Sequence, residues 1–363
     1  MKDRLFALLL TTVLTCLALM ITPGCSSVAY YGQAVSGHLS LMRRREPVDK
    51  LLIDSQTEPA LAEQLKQAQA ILDFAETALG LDADGSYRKV VISGQSAVSW
   101  NLIVAEEFSV DAKLWCFPVA GCVPYRGYFK QEKAQQVAEK SRSEGFDVYI
   151  SPALAYSTLG WFDDPLIDTM FQYSETQLAA ILFHELAHKK LYVADDTEFS
   201  ESFAGFVESV GVQRWLQQTG NSGALESWSG RRLAQPQFDA LLASARDSLR
   251  KTYGSGASPE QMRTMKQDTL DKMKADYFRL VEQEWQGNDY FAGWIEGDLN
   301  NAKLALAESY AGGICAFSAL FGQAGGNLAD FYVLAKQKSI ESEALRKSWM
   351  HQPCPEFASV PDL

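Results

Sequence analysis

Apolar positions change their spacing several times along the chain, and each change marks an element. From Leu5 to Ile21 the chain is almost continuously apolar, broken only by Thr11, Thr12 and Thr15, with Lys2 and Arg4 before it. That order is the order of an export signal, and as a membrane span the run falls short of the roughly 20 apolar residues required. Val28 to Arg45 then reads as a helix, with Leu39, Leu41 and Met42 apolar and Arg43, Arg44 and Arg45 at its end. Glu58 to Leu79 gives a stronger signal, since Leu61, Leu65, Ala68, Ile71, Leu72 and Ala75 recur at three- and four-residue steps. From Lys89 the period shortens. Segments 89–93, 97–104, 113–117, 125–129 and 147–151 are short and rich in β-branched and aromatic residues, which predicts strands, with a helix over 133–145. The helical spacing returns after Ser174 and dominates after Trp215, predicting helices over 235–253, 259–285, 301–321 and 327–338. Tyr253 to Pro259 is read as a turn between two helices. The expected fold is α+β and predominantly helical, with a small mixed sheet directly upstream of the helix that starts at Ser174. Periodicity leaves open which strand is the edge.

Composition sharpens this into an exported globular chain. With 47% hydrophobic and 21% charged residues it has the balance of a folded protein. A formal net charge of -12 argues against a nucleic-acid partner, because phosphate binding needs a basic face. The apolar run ends at Ile21-Thr-Pro-Gly24-Cys25-Ser26-Ser27, which resembles a bacterial lipoprotein cleavage box, although Thr22 replaces the usual leucine. Residues 1–24 are therefore expected to be a signal peptide and 25–363 a single domain, with a lipid on Cys25 anchoring it to the membrane. A retained signal anchor is the alternative. Ser26 implies, by the same resemblance, sorting to the outer membrane and a periplasmic location. The Arg43–Arg45 cluster fits either anionic lipid heads or a solvated helix end. Cys116, Cys122, Cys315 and Cys354 allow three pairings in an oxidising compartment. Cys116 and Cys122 bracket a turn-rich loop suited to a local bridge, which would leave Cys315 to Cys354; four buried thiols are the alternative.

The chemistry is concentrated in His184-Glu185-Leu186-Ala187-His188. Residues four apart share one helix face, so both imidazoles can reach one Zn2+ ion, and Glu185 beside them can take a proton from a water there. Ser174-Glu-Thr-Gln177 reads as a capping box that starts this helix, and Lys189 and Lys190 suit its C-terminus. The chain has four histidines, and His38 and His351 are distant, so the third protein ligand of a catalytic site is expected to be a nearby carboxylate. Asp195 followed by Glu198 resembles a second helix start. A short connection from Leu191 folds that helix back, bringing Glu201 to the metal. Glu208, two turns further, would orient a ligand histidine. The plainer reading is two histidines merely capped or solvated on a helix.

His184-Glu-Leu-Ala-His188 with Asp196-Thr-x-Phe-x-Glu201-Ser-Phe-Ala and Val207-Glu208 resembles the bacterial putative aminopeptidase family of exported zinc metallopeptidases. Trp115–Phe129, Ala155–Phe162 and Leu299–Ala302 agree with it, and the resemblance runs from about Tyr30 to the C-terminal region. It implies a zincin-like core and hydrolysis of peptide substrates, with His184, His188 and Glu201 on Zn2+ and Glu185 as general base. An aminopeptidase must also hold the substrate's ammonium, for which Asp163, Asp164, Glu198 and Glu208 are candidates. The Gly-x-Met-Glu-Asn motif of one aminopeptidase group is absent. Tyr310 is a candidate donor to the tetrahedral intermediate, and the loop 156–162 a candidate cleft wall. An endopeptidase and a non-catalytic binding lipoprotein are the alternatives.

Overall fold

The computed structural model describes residues 24–117, 121–155, 163–194, 196–308 and 313–352. Residues 1–23 of the expected signal peptide, the loop 156–162, Asp195, Tyr310 and Cys354 lie outside the described residues. Helix α1 (Gly24–Arg43) leads in and packs through Tyr30, Gln33 and Leu41. A short strand β1 (Glu46–Pro47) and helix α2 (Val48–Ile53) precede α3 (Pro59–Ala78), whose buried Leu65, Ala68, Ile71, Leu72, Phe74 and Ala75 form the predicted apolar stripe.

The predicted strands appear as β2 (Lys89–Val91), β3 (Ser99–Ala105), β4 (Trp115–Phe117), β6 (Arg126–Tyr128) and β7 (Asp147–Ala153). Two further strands, β5 (Gly121–Val123) and β8 (Leu166–Ile167), were not announced by the pattern. One sheet was expected, but the strands divide among three. The first has the order β1-β2-β8 and is mixed, the second has the order β6-β3-β7 and is antiparallel, and β4 pairs only with β5. In the β4–β5 hairpin Cys116 stands opposite Cys122, and the two form the expected disulfide. Cys315 is also disulfide-bonded. Helix α4 (Gln131–Ser143) covers the antiparallel sheet, packing Ala134 and Ala138 with Leu102, Val104 and Val148.

Helices α5 (Glu175–Lys190) and α6 (Thr197–Thr219) form the centre of the largest core. Both halves of the predicted capping box are made, with Gln177 N donating to Ser174 Oγ and Ser174 N donating to Gln177 Oε1. Asp196 caps α6 by accepting from the Phe199 amide at 3.1 Å. The two helices approach closely at Gly211, where an added Cβ would lie 2.7 Å from the Phe183 ring and 2.8 Å from Leu79 Cδ1. That contact is one residue from His184, so the glycine lets α6 press directly against the helix turn that carries it.

Helices α7 (Ser222–Tyr253) and α8 (Pro259–Gln283) form a long hairpin with its own core around Phe238, Leu242, Met273 and Tyr277. Helix α7 was expected to begin at Gln235. It begins thirteen residues earlier, where Asn221 supplies the cap by accepting from the Ala224 amide, and Pro236 is accommodated inside the helix. After α9 (Ala292–Ile295), the single helix expected over 301–321 is two helices, α10 (Asn301–Glu308) and α11 (Ile314–Gln323). Gly313 precedes α11 at φ +70°, a left-handed conformation that continues no helix. Helices α12 (Leu328–Ser339) and α13 (Glu343–Met350) close the fold. Arg346 of α13 donates from Nε to Asp196 Oδ2 at 2.6 Å, so the last helix fastens the cap of α6. Among the described residues no helix is long and apolar enough to cross a membrane.

Candidate active site

The HExxH turn lies in the last part of α5, and the antiparallel return of α6 carries Glu201 and Glu208 past it. His184 Nε2 and His188 Nε2 are 3.1 Å apart. Glu201 reaches both rings, with Oε2 3.3 Å from His184 Nε2 and Oε1 3.5 Å from His188 Nε2. On the other side of the His184 ring, Nδ1 lies 3.1 Å from Glu208 Oε2. The structure therefore brings His184, His188, Glu201 and Glu208 together, with Glu201 on the inner nitrogens and Glu208 on the outer one.

These atoms fit a metal ion. The potential ligand atoms of His184, His188 and Glu201 all lie within 4.8 Å of one another. Ligands about 2.0–2.1 Å from a tetrahedral ion stand ~3.3 Å apart, close to the three separations above. The donor set is two imidazoles and one carboxylate, which suits a borderline cation. His188 is 5% exposed, and its Nδ1 is buried without a hydrogen-bond partner. That leaves Nε2, facing His184 and Glu201, as its ligating atom.

The charges of the metal-free cluster are unequal. Burial pulls His184 down, but hydrogen bonds to Glu201 and Glu208 and the charges of Glu208 and Glu185 outweigh it and push the imidazole up. Burial and the neighbouring His184 charge pull His188 down, against the attraction of Glu201. Burial raises Glu201, yet its bond to His184 and the two histidine charges leave it below the usual carboxylate range. A cation entering this cluster displaces the proton held on His184, since the neutral ring is the ligand.

Glu185 lines a cleft of about 270 Å³ together with Pro152 of β7, Leu154 and Ala155 after it, Ala180 and Ile181 of α5, and His184 and Glu208. Strand β7 is the edge of its sheet on this side. Sequence reasoning could not place that edge, because strand order depends on pairings between distant segments. It also missed two tyrosines. Burial raises Tyr125, which faces Glu201 and Glu185. Tyr87, fully packed at φ +63°, is raised by burial and by Glu185 and Asp164. Neither residue stands in a local motif that points to a site.

The four carboxylates considered for an ammonium are scattered. Glu208 lines the cleft, whereas Glu198 pairs with His351 at 3.1 Å. Asp164 is buried with its carbonyl accepting from the Tyr87 amide, and the Asp163 carbonyl accepts from Arg45 Nη1.

No curated protein and no solved structure matches the chain. A family model described as putative aminopeptidase matches residues 29–350, which takes in every helix and strand that builds the cleft and the histidine–glutamate cluster, and the chain belongs to that family.

Proposed function

We propose that the protein is a zinc-dependent peptidase of zincin-like construction, acting as an aminopeptidase on peptide substrates. The observation that carries the reading is the convergence of His184, His188 and Glu201 beside the cleft that Glu185 lines. Zinc, when bound by these three residues, supplies a Lewis acid that polarises a carbonyl and acidifies water. The chain supplies the remainder. Glu185 accepts a proton from the attacking water on its carboxylate and delivers it to the departing amine. Glu208 accepts from His184 Nδ1–H, which fixes the tautomer that presents Nε2 to the ion. The edge strand β7 leads into the cleft at Pro152 and aligns an extended peptide by strand addition at that end.

Aminopeptidase action follows the family, and Glu208 is the one considered carboxylate that lines the cleft. Endopeptidase action is the second reading, favoured by the position of Glu198, Asp163 and Asp164 outside the cleft lining. We also propose export with Cys25 lipidated, placing the domain on the periplasmic face of the envelope.

The test is metal content and peptide cleavage by the chain from residue 25 onward. Glu185→Gln should keep zinc and fold and lose ~10²–10⁴ in rate. Cleavage of N-terminally free peptides alone supports the aminopeptidase, and cleavage within blocked peptides supports the endopeptidase. A Gln variant that cuts as fast as the parent overturns the mechanism. If the parent cuts neither set, and the variant matches it in cells, the protein is a binding lipoprotein. Mass spectrometry at Cys25 tests the anchor.

A further inference from the structure

Helix α1 packs one face on the body and exposes apolar residues along another. Tyr30 packs edge-to-face on Tyr128 with centroids 5.8 Å apart. Gln33 bonds both the Gly127 carbonyl and the Phe129 amide, and Leu41 is buried with Val91, Val98 and Ile167. On the opposite side Tyr31, Val35 and Leu39 follow one another at four-residue steps, exposed by 41%, 57% and 43%. Arg43 is the next member of that row.

The charge around this row runs against that of the whole molecule. The chain has 45 acidic and 33 basic residues, yet Gly24 to Arg45 contains three arginines and no aspartate or glutamate. Arg44 and Arg45 are held by carbonyl oxygens rather than by carboxylates. Arg44 donates to the Ile92 carbonyl, and Arg45 donates from Nε to the Met42 carbonyl at 3.0 Å and from Nη1 to the Asp163 carbonyl at 2.9 Å. Among the described residues Arg43, Arg44 and Arg45 form no ion pair with a carboxylate. Single exposed apolar residues need no explanation. An apolar row that ends in a fixed cationic edge, on a helix whose first turn contains Cys25, does.

We propose that the Tyr31–Val35–Leu39 row of α1, edged by Arg43, Arg44 and Arg45, seats the protein on an anionic phospholipid surface. A helix of this kind lies in the interfacial plane, with its apolar row at the boundary between headgroups and acyl chains and its cations among the phosphates. The inference rests on the Cys25 reading only for where the helix stands. The affinity of the face itself does not depend on acylation, so the two can be tested apart.

The experiment uses the chain from residue 25 carrying Cys25→Ser, floated with vesicles of phosphatidylglycerol and phosphatidylethanolamine or of phosphatidylcholine alone. Partition onto the anionic vesicles should be stronger by ~10-fold or more, and should weaken as salt is raised. Arg43→Gln should reduce it ~5-fold, the effect of one basic residue at such a surface. Val35→Asp with Leu39→Asp should remove most of it, while circular dichroism and the melting temperature stay at the parent's values. If the Asp pair disturbs folding, Val35→Ser with Leu39→Ser is read in its place. Equal partition onto both vesicle types overturns the proposal, as does parental binding by the folded double variant. An absence of lipid at Cys25 in the exported protein would overturn the anchor reading and leave the vesicle result standing.

Discussion

Two helical pairs of similar shape perform different work in this molecule. The α5–α6 pair carries both histidines and both glutamates of the cluster, and around them it buries Phe183, Phe199, Phe203 and Phe206. The α7–α8 hairpin buries an aromatic core as dense as that one, with Phe238 stacked on Phe291 at 4.2 Å, and it carries none of the cluster. The attachments of the two differ as well. The site pair is sealed mainly by apolar contacts with α3 and α11, with polar bonds at its ends such as Arg346 to Asp196 and Lys189 to the Ala83 carbonyl. The hairpin is joined to the sheet by Lys266 Nζ to Asp147 Oδ2 at 2.6 Å, and to the start of α10 by Tyr253 OH to Asn301 Oδ1 at 2.9 Å; Asn301 Nδ2 in turn donates to the Glu107 carbonyl at 2.9 Å, just after β3. The same Asp147 begins β7, whose far end enters the cleft. A polar joint of this kind fixes orientation, because each bond has a preferred direction, whereas apolar contact fixes only proximity. On the proposed function the hairpin thus braces the β7 edge that would take substrate, and the α5–α6 pair supplies the reactive groups.

The largest separation between the two regions should appear when one residue of each is removed. Glu201→Ala should lose most bound metal, a greater loss than the ~10–100-fold typical of a residue that only orients a ligand, with the circular dichroism spectrum retained. Phe238→Ala should lower stability by ~3–5 kcal/mol in denaturant unfolding, the usual cost of an aromatic cavity, with metal content unchanged in the folded fraction. Full metal occupancy in Glu201→Ala would remove Glu201 from the ligand set and put Glu198 and Glu208 forward. Metal loss in folded Phe238→Ala would show that the two cores are not separate in function.

A smaller effect divides residues within the site pair itself. Glu208→Gln retains a carbonyl oxygen that can accept from His184 Nδ1–H but removes the negative charge. Metal affinity by chelator competition should fall within ~10–100-fold. A loss as large as that of Glu201→Ala would place Glu208 on the ion rather than behind His184.

How much of this was legible in the sequence depended on how local each cause is. His184, His188 and Glu201 could be read because a helix repeat and a short connection fix their relation. Asp196, one residue beyond the anticipated Asp195, caps α6, and the two starts differ by less than a turn. The edge position of β7, the placement of Tyr125, and the Arg346–Asp196 bond were not legible. Each is a pairing between segments far apart in the chain, and no local spacing encodes it. The division of 301–321 was missed for another reason. Leu304, Ala305, Ala316, Phe317 and Leu320 are apolar and buried throughout, so periodicity continued across a break set by the backbone at Gly313.

The smallest expected effect compares the two pairs at their starts. Helix α5 begins with Ser174 and Gln177, and α8 with Ser258 and Gln261, and both form reciprocal capping boxes. The serine oxygen accepts from the Gln177 amide at 3.4 Å in one and from the Gln261 amide at 3.3 Å in the other. Ser174→Ala and Ser258→Ala should therefore each cost ~1 kcal/mol by the same mechanism, the loss of one acceptor for a first-turn N–H. The unfolding curves of the two variants then report on cooperativity. If the two cores unfold together, each variant lowers one shared transition, and fluorescence and circular dichroism report the same midpoint. If the hairpin unfolds separately, Ser258→Ala should move only the transition that exposes Trp285 and Phe291, while Ser174→Ala moves the one that exposes Trp215. Metal binding should change in neither variant, since Ser174 stands more than two turns from His184 and the cap fixes only the far end of that helix. A fall in metal affinity for Ser174→Ala would mean that the helix start controls the position of its last turns, and that the rigidity of α5, rather than its packing at Gly211, holds the histidines in register.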